Sequence, residues 1–307
     1  FAGMPQISNE PVARMQRLVV SNNTEAKLMN INRYEDNAAV PVIDRAQFPQ
    51  FLPMNQLTAS VKLNSDSNES SLHSTGFNIS PCLMVTNHHA VFSQTLDSTQ
   101  STELKVSISA GIKADGKFAG QTKSSHVELK GARTEQGMGD WAVVKSPACL
   151  GKAFGWYNPS KKSARELFES KAEVFVVSFP GDREQGALEV GFGNVTGFNN
   201  KSGTLEYNAS TAPGSSGGAV FVMEDGEMRF VGIHKGGQHA DKAYTFKTHS
   251  KQYSNTFVPA EQFMDLKEVQ QIIALDKQYN GSVNKAEQYL KAAPQKTASK
   301  SSGRLTI

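Results

Sequence analysis

Three segments of the chain contain residue types that together can catalyse acyl transfer, and one of them surrounds a serine. Segment 211–218, TAPGSSGG, places Ser216 among glycines, which tolerate the positive φ values of a sharp turn. In such a turn the N–H groups of Gly214 and Ser216 can point at a substrate carbonyl and stabilise an oxyanion. An ordinary Gly/Ser turn has the same composition. The catalytic interpretation therefore requires a base and an orienting acid elsewhere in the chain.

A candidate base and a candidate acid precede this segment. Segment 83–91, LMVTNHHAV, ends an apolar run with His88 and His89, and histidine titrates close to neutral pH, as a general base should. Asp140 begins segment 140–144, DWAVV, and a carboxylate that enters a core needs a charged or hydrogen-bonding partner such as an imidazolium. The residue types alone leave His88 and His89 equivalent. A backbone-bonded histidine or a turn aspartate is the alternative at each position.

The order His, Asp, Ser on short strands is that of the chymotrypsin arrangement and differs from the orders in subtilisins and α/β-hydrolases. The chain resembles the chymotrypsin-like serine peptidases. TNHH (86–89) is similar to the family's catalytic-histidine motif, whose fourth residue is the base, DWAVV to its aspartate strand, and GSSGG (214–218) to its nucleophile loop. The resemblance implies that His89 is the base, Asp140 orients it, and Ser216 is the nucleophile. It also assigns the oxyanion hole to the N–H groups of Gly214 and Ser216.

The bacterial glutamyl-endopeptidase branch of this family resembles the chain in three further segments, FPGD (179–182), LEYN (205–208) and VGIHKGG (231–237). This resemblance implies that Thr211 and His234 hold a Glu or Gln side chain before the scissile bond. The chemistry is suitable, because a hydroxyl and an imidazole N–H can both donate to a carboxylate or amide oxygen. Ser210 occupies the position where trypsin-like members carry the acid that receives Arg or Lys. A trypsin-like preference is therefore not expected.

The segment around the expected pocket also departs from this branch. Lys235, Gly236 and Gly237 are expected to offer a strand edge to which the substrate backbone can add. Lys235, however, stands where an apolar or aromatic residue is common in the branch. The pair Gly218-Ala219 replaces the Ser-Pro pair often found after the nucleophile. These departures affect the expected specificity more than the expected catalysis.

Ser215 bears on activation. It stands where chymotrypsin has an aspartate that pairs with the new N-terminus, and a serine cannot form that ion pair. Activation is therefore expected to work differently. Glutamyl endopeptidases are made with a pro-segment, and the composition of this chain changes near residues 40–44, where their mature chains begin. We expect residues 1–40 to be an N-terminal extension, either a pro-segment or a simple decoration, with a short helix at 12–20.

Short apolar segments separated by turn residues recur between residues 57 and 234, which favours an antiparallel barrel or sandwich over βαβ units. The resemblance implies an all-β fold of chymotrypsin type, with two antiparallel six-stranded β-barrels and the active site between them. Residues 261–279 repeat apolar side chains at helical spacing before Asn280-Gly281. We expect a peptidase domain at 41–258 with a barrel boundary near 150–170, a C-terminal helix at 259–280 and a polar tail at 281–307.

The composition limits the partners. A formal net charge of +3, from 32 basic and 29 acidic residues, gives no reason to expect nucleic acid. No apolar run reaches the roughly 18 residues that cross a bilayer. No metal-ligand spacing of the Cys/His or His-Glu-x-x-His type occurs, so neither a metal nor another cofactor is expected. Cys82 and Cys149 leave one disulfide and two buried thiols equally open. We expect a processed chain, beginning at Phe1, of a secreted or periplasmic protein.

The expected function is that of a serine endopeptidase that cleaves protein or peptide substrates through an acyl-enzyme, after Glu or Gln. A viral-type polyprotein peptidase of the same fold would share these residues but cut a few defined junctions. A non-catalytic binding protein built on the fold is the alternative from another class. A lipase or esterase is not expected, because the βαβ context of its nucleophile elbow is missing.

Overall fold

Strands form most of the fold, as the short apolar segments predict. The computed structural model describes residues 15–20, 25–31, 51–53, 58–66, 71–94, 101–112, 117–124, 126–132, 139–179, 188–209, 211, 214–225, 227–238 and 254–285. The strands are β1 (Met15–Val20), β2 (Glu25–Ile31), β3 (Phe51–Pro53), β4 (Ser60–Asp66), β5 (Ser71–Asn78), β6 (Leu83–Thr86), β7 (Phe92–Gln94), β8 (Ser101–Glu103), β9 (Lys105–Ile112), β10 (Phe118–Lys123), β11 (His126–Lys130), β12 (Ala142–Lys145), β13 (Asn158–Pro159), β14 (Glu173–Ser178), β15 (Glu189–Asn199), β16 (Thr204–Tyr207), β17 (Ala219–Glu224), β18 (Glu227–Gln238) and β19 (Ser254–Pro259). The helices are α1 (His88–Val91), α2 (Leu150–Phe154), α3 (Ala164–Glu169), α4 (Glu261–Met264) and α5 (Lys267–Asn280). Within these residues, none of the helices is both long enough and apolar enough to cross a membrane.

The first sheet consists of seven antiparallel strands in the order β10-β9-β4-β5-β6-β12-β11. Along β4, Val61 and Leu63 are completely buried in the core of this sheet, on the alternating positions that one face of a strand provides. β6 pairs with β12 so that Thr86 lies opposite Ala142. The segment after β6 and the segment before β12 are therefore neighbours, and these two segments contain the expected base and acid.

The second sheet contains a closed ring of strands. β14 pairs with both β17 and β15, so the order β14-β17-β18-β19-β16-β15 returns to its start and forms a six-stranded barrel. β13 adds to β18 in parallel, and β1, β2 and β3 extend the sheet from β15. The predicted all-β, chymotrypsin-type fold is confirmed. The first sheet differs in detail from the predicted closed six-stranded barrel, because within the described residues its seven strands keep an open order.

A shared hydrophobic core joins the two sheets. From the first sheet it includes Phe77 and Val85, which are fully buried, and from the second it includes Phe221 and Phe230, which are fully buried as well. The rings of Phe77 and Phe230 meet edge to face with their centroids 5.0 Å apart, the kind of geometry that aromatic pairs prefer. The two sheets are therefore held in one arrangement by side chains that both of them contribute.

The C-terminal helix forms in two pieces, α4 and α5, where the apolar spacing predicts one. Phe263 of α4 is fully buried with its ring 5.9 Å from that of Trp141, the residue after Asp140. Asp276 of α5 accepts hydrogen bonds from the N–H of Cys82, at 2.8 Å, and from the hydroxyl of Ser80. These contacts attach the helix to the loop that precedes β6.

Cys82 and Cys149 form a disulfide. Of the two states that the sequence leaves open, one disulfide or two buried thiols, the structure therefore contains the disulfide. The bond joins the start of β6 to the residue before α2, across a sequence separation of 67 residues. His89 and Asp140 both lie within the loop that it closes.

The N-terminal extension contains strands where a helix is expected at 12–20. β1 pairs with the edge of β15, with Met15 opposite Gly191, and β2 pairs with β1. The β-branched Val19 and Val20 favour an extended chain, and the backbone groups offered by β15 decide the outcome. The domain boundaries, including the one at residue 40, stay predictions. Residues 32–50 and 286–307 lie outside the described residues.

Candidate active site

His89 and Asp140 form a close pair at the junction of β6 and β12. The Nδ1 atom of His89 lies 2.7 Å from Oδ2 of Asp140, and the backbone N–H of His89 donates to Oδ1 at 3.1 Å. The Asp140 side chain is 1% exposed, whereas that of His89 is 27% exposed. Asn87 fixes the acid from the other side, since its side-chain N–H donates to the Asp140 carbonyl at 2.9 Å. The buried carboxylate therefore has the hydrogen-bonding partners that its burial demands.

His88, which the residue types could not separate from His89, has a different environment. It is buried and its ring stacks on Phe92, with the centroids 4.6 Å apart. His89 is therefore the member of the pair that combines contact with Asp140 and access to solvent. Such a combination is what a general base requires.

The loop around Ser216 depends on its glycines for geometric reasons. Gly214 and Gly217 have φ values of 96° and 86°, in the left-handed region that favours glycine. A Cβ atom added to Gly217 would lie 1.8 Å from the carbonyl oxygen of Thr75, and one added to Gly218 would lie 2.7 Å from that of Val177. The loop therefore packs its backbone directly against β5 and β14.

Ser216 is partly exposed, and its backbone and hydroxyl point to different neighbours. Its carbonyl accepts the N–H of Thr75 at 2.7 Å, while its hydroxyl donates to the carbonyl of Lys235 at 3.2 Å. Among the described residues, the hydroxyl is thus bonded to Lys235 and not to His89. The N–H groups of Gly214 and Ser216 donate no hydrogen bond to any described residue. Neither N–H group is therefore occupied by the described residues, as binding of an oxyanion would require.

His234 is a buried, neutral imidazole beside this loop. Its backbone N–H donates to the carbonyl of Gly218 at 2.8 Å, and its carbonyl accepts the N–H of Gly217 at 2.9 Å. Its Nδ1 atom lies 2.6 Å from the hydroxyl of Tyr207. Burial lowers the pKa of His234 to about 3, and the nearby His89 is a second, smaller electrostatic cause. The ring therefore stays uncharged near neutral pH.

The remaining expected pocket residues lie in two segments, 210–211 before the loop around Ser216 and 235–237 directly after His234. Thr211 is 3% exposed. Ser210 lies outside the described residues, as do residues 180–182 of the FPGD segment. Gly236 and Gly237 follow Lys235 in β18 and pair with β19. Within the described residues, β17 pairs with β18 only as far as Ile233.

Three polar residues of the site were not foreseen from the sequence. Tyr207 contacts His234, and Thr75 contacts the loop around Ser216. Ser178 donates its hydroxyl hydrogen bond to the hydroxyl of Ser215 at 2.9 Å, and both serines are buried. A buried hydroxyl needs a hydrogen-bonding partner. A polar residue inside an apolar strand therefore indicates that such a partner exists. The partner itself lies too far away in the chain to be identified from the sequence.

Metal binding has no support among the residues that the structure describes. These residues contain no group of three or more His, Cys, Asp or Glu side chains that could hold a metal ion.

Solved structures with a similar fold include the following two. A Glu endopeptidase in complex with MPD is 17% identical, with a TM-score of 0.52, over 84% of this chain and 100% of the other. An inactivated protease paralogue of the scabies mite is 18% identical, with a TM-score of 0.51, over 72% of this chain and 97% of the other. At these identities the likeness establishes the fold alone. The second structure also illustrates that proteins described as inactivated share this fold.

The sequence was also compared with curated proteins and with models of protein families. A search of curated proteins finds no matching relative. The family model described as "Trypsin-like peptidase domain" matches residues 74–233, a little over half of the chain. The matched region runs from β5 into β18 and includes the His89–Asp140 pair and the loop around Ser216. On the strength of this match and the chymotrypsin-type fold, the chain belongs to the trypsin-like peptidase family.

Proposed function

We propose that the protein is a serine endopeptidase that uses Ser216 as nucleophile, His89 as general base and acid, and Asp140 as the group that orients His89. The observation that carries the proposal is the 2.7 Å contact between His89 and the buried Asp140. An ionised carboxylate can only accept, so Nδ1 of His89 must carry the proton. The Nε2 atom is then left as the acceptor that a serine hydroxyl needs.

In the proposed reaction, the Ser216 hydroxyl oxygen attacks the peptide carbonyl carbon while His89 takes the hydroxyl proton. The N–H groups of Gly214 and Ser216 bind the resulting oxyanion. His89 then donates the proton to the leaving amine, and water attacks the acyl-enzyme by the same route. Because the resting hydroxyl of Ser216 donates to Lys235, the first event is a rotation of this side chain between staggered positions.

The specificity pocket is proposed to accept Glu or Gln, with Thr211 and His234 as donors. The Tyr207 contact supports this assignment, because a hydroxyl that donates to Nδ1 of His234 leaves Nε2 as the protonated nitrogen. A neutral N–H donor can bind either an amide or a carboxylate oxygen. The glutamyl-endopeptidase branch is proposed on this basis.

Profiling with a peptide library tests both parts of the proposal. We expect the wild type to cleave after Glu or Gln, and Ser216→Ala to show no cleavage. His234→Ala should lose the preference while Ser216 still reacts with an organophosphonate. His73→Ala, which removes an exposed histidine of β5, is the matched control and should keep the wild-type profile.

Two results would contradict the proposal in different ways. Cleavage mainly after Leu, Phe or Ala would reject the Glu/Gln pocket and leave the nucleophile assignment standing. A Ser216→Ala variant with wild-type activity would reject the mechanism itself. An absence of both cleavage and organophosphonate labelling in the wild type would favour the non-catalytic binding protein, and cleavage restricted to a few long sequences would favour a polyprotein peptidase.

We also propose that the protein is secreted or periplasmic and that residues 1–40 are a pro-segment. The Cys82–Cys149 disulfide supports the first statement, because such bonds persist in oxidising compartments. The pairing of β1 with β15 supports the second, since it attaches the extension to the second barrel. Equal activity of the full chain and a chain that starts at Val42 would contradict an inhibitory role.

A further inference from the structure

Thr75, a completely buried residue of β5, bonds to the loop around Ser216 through both its backbone and its side chain. Its N–H donates to the carbonyl of Ser216 at 2.7 Å, and its hydroxyl donates to the carbonyl of Gly214 at 3.0 Å. The same hydroxyl accepts the N–H of Phe179 at 2.9 Å, and the Thr75 carbonyl accepts the hydroxyl of Thr86 at 2.8 Å. Half of these bonds go to the segment that bears the proposed nucleophile.

The two carbonyls that Thr75 binds are next to the proposed oxyanion donors. The Gly214 N–H and the Ser216 N–H belong to peptide units that flank the Gly214 carbonyl, and the Ser216 carbonyl begins the following unit. Glycine changes its backbone angles at little cost, so a peptide unit at Gly214 can turn and direct an N–H away from the substrate. A hydrogen bond that holds the Gly214 carbonyl in place opposes this rotation.

The other contacts of the loop are also between neutral groups. The hydroxyl of Ser178 donates to that of Ser215 at 2.9 Å, and both residues are buried. The backbone of Gly217 lies against the Thr75 carbonyl so closely that a Cβ atom there would be 1.8 Å from its oxygen. Ser215 occupies the position at which chymotrypsin places a charged pair. In this chain, the loop around Ser216 is therefore held by hydroxyl and backbone groups.

We propose that Thr75 is a positioning residue that keeps the N–H groups of Gly214 and Ser216 directed at the reacting carbonyl. The inference rests on the proposed serine peptidase function. Removing a whole oxyanion donor costs about 10²–10³ in kcat. A donor that points correctly for only part of the time costs less, so loss of the Thr75 hydroxyl should reduce the acylation rate by on the order of 10–100-fold.

Acylation by p-nitrophenyl acetate tests the proposal, because this small ester can react with Ser216 without filling a side-chain pocket. Thr75→Val removes the hydroxyl at nearly constant volume, and Thr75→Ser keeps it. Thr204→Val is the matched control, since Thr204 is also buried and hydrogen-bonded, to Ser202 at 2.6 Å. We expect Thr75→Val to lose burst rate with little change in KM, and the other two variants to stay within about threefold of the wild type.

A burst rate near the wild-type value in Thr75→Val overturns the proposal, as does an equal loss in Thr75→Ser or Thr204→Val. The pH profile of acylation distinguishes misdirected N–H donors from a displaced His89. The apparent pKa of acylation should be the same in the wild type and in Thr75→Val. A shifted pKa also overturns the proposal. If Thr75→Val does not fold, Thr75→Ala carries the same expectations with a smaller side chain. A wild type without a burst, or a burst that survives in Ser216→Ala, refutes the proposed function and this inference with it.

Discussion

At the scale of single residues, the contact between His89 and Asp140 decides which imidazole nitrogen is left for the proposed reaction at Ser216. In Asp140→Asn the side chain can present an N–H to Nδ1, and this favours the wrong tautomer of His89. We expect turnover to fall by roughly 10⁴ while the fold is retained, on the precedent of other triads. Steady-state kinetics and thermal unfolding measure the two quantities. Asp265→Asn, at an exposed aspartate after α4, serves as the control and should keep full activity.

His234 gives a second prediction at this scale, on the pH dependence of stability. Its pKa is lowered from 6.5 to about 3 in the folded protein. Between these values the unfolded chain binds a proton that the folded chain does not, so the free energy of unfolding should fall as the pH drops, by up to about 1.4 kcal/mol per pH unit. Above pH 6.5 the contribution is fully present.

Urea unfolding at about pH 7 and about pH 4.5 measures this effect. Carboxylates titrate in the same range, so the wild type is compared with His234→Gln, which lacks the titrating group. The wild type should lose more stability between the two pH values than the variant does. Equal losses would show that His234 can be protonated in the folded protein at little cost.

The sequence predicts the residues of the site better than their contacts. A glycine-framed serine and an aspartate that enters an apolar strand are visible as local patterns, and His89 can be selected over His88 by family resemblance. The hydroxyls of Thr75, Ser178 and Tyr207 indicate at most that a partner exists, and the sequence does not identify that partner. Their partners are separated from them by 139, 37 and 27 residues respectively, and only the folded sheets bring them together.

At the scale of elements, a carboxylate of α5 is hydrogen-bonded to the loop that precedes β6 of the first sheet. Asp276 accepts from the N–H of Cys82 and from the hydroxyl of Ser80, and both residues are buried. Asp276→Ala should leave these donors without a partner and lower the free energy of unfolding by about 1–3 kcal/mol. Denaturant unfolding measures the change, with Asp265→Ala as the exposed control. An equal effect of both substitutions would argue against the docking role of Asp276.

The strands are predictable from the sequence where burial makes most of their residues apolar. β6 is buried throughout and apolar except for Thr86, so the strand is visible as the apolar run of segment 83–91. β10 shows no such pattern, because it is a largely exposed edge strand with Phe118 as its one large apolar residue. β19 was missed because its first residues are polar although Asn255 and Thr256 are buried. Their burial follows from pairing with β16 and β18, which no local pattern reveals.

At the scale of the whole molecule, the Cys82–Cys149 disulfide closes the part of the chain that holds both His89 and Asp140. With a sequence separation of 67 residues, the chain-entropy model assigns the cross-link about 4 kcal/mol of stability. Replacing both cysteines by serine should therefore lower the free energy of unfolding by about this amount.

A reducing agent provides the internal control for this prediction. It should destabilise the wild type by a similar amount and leave the double variant unchanged. Because neither cysteine belongs to the proposed catalytic groups, the variant should keep its activity at temperatures where it remains folded. A wild type whose unfolding does not respond to complete reduction would contradict the stabilising role of the bond.

The neutral state of the buried His234 also bears on how a charged ligand would bind. A glutamate side chain placed against this ring raises the pKa of His234 above its value of about 3, because a carboxylate stabilises the protonated imidazole. A glutamyl peptide should therefore take up a proton from solution when it binds at mildly acidic pH, whereas a glutaminyl peptide should take up none. With Ser216→Ala as the binding partner, calorimetric binding enthalpies should depend on the ionisation enthalpy of the buffer for the first peptide only.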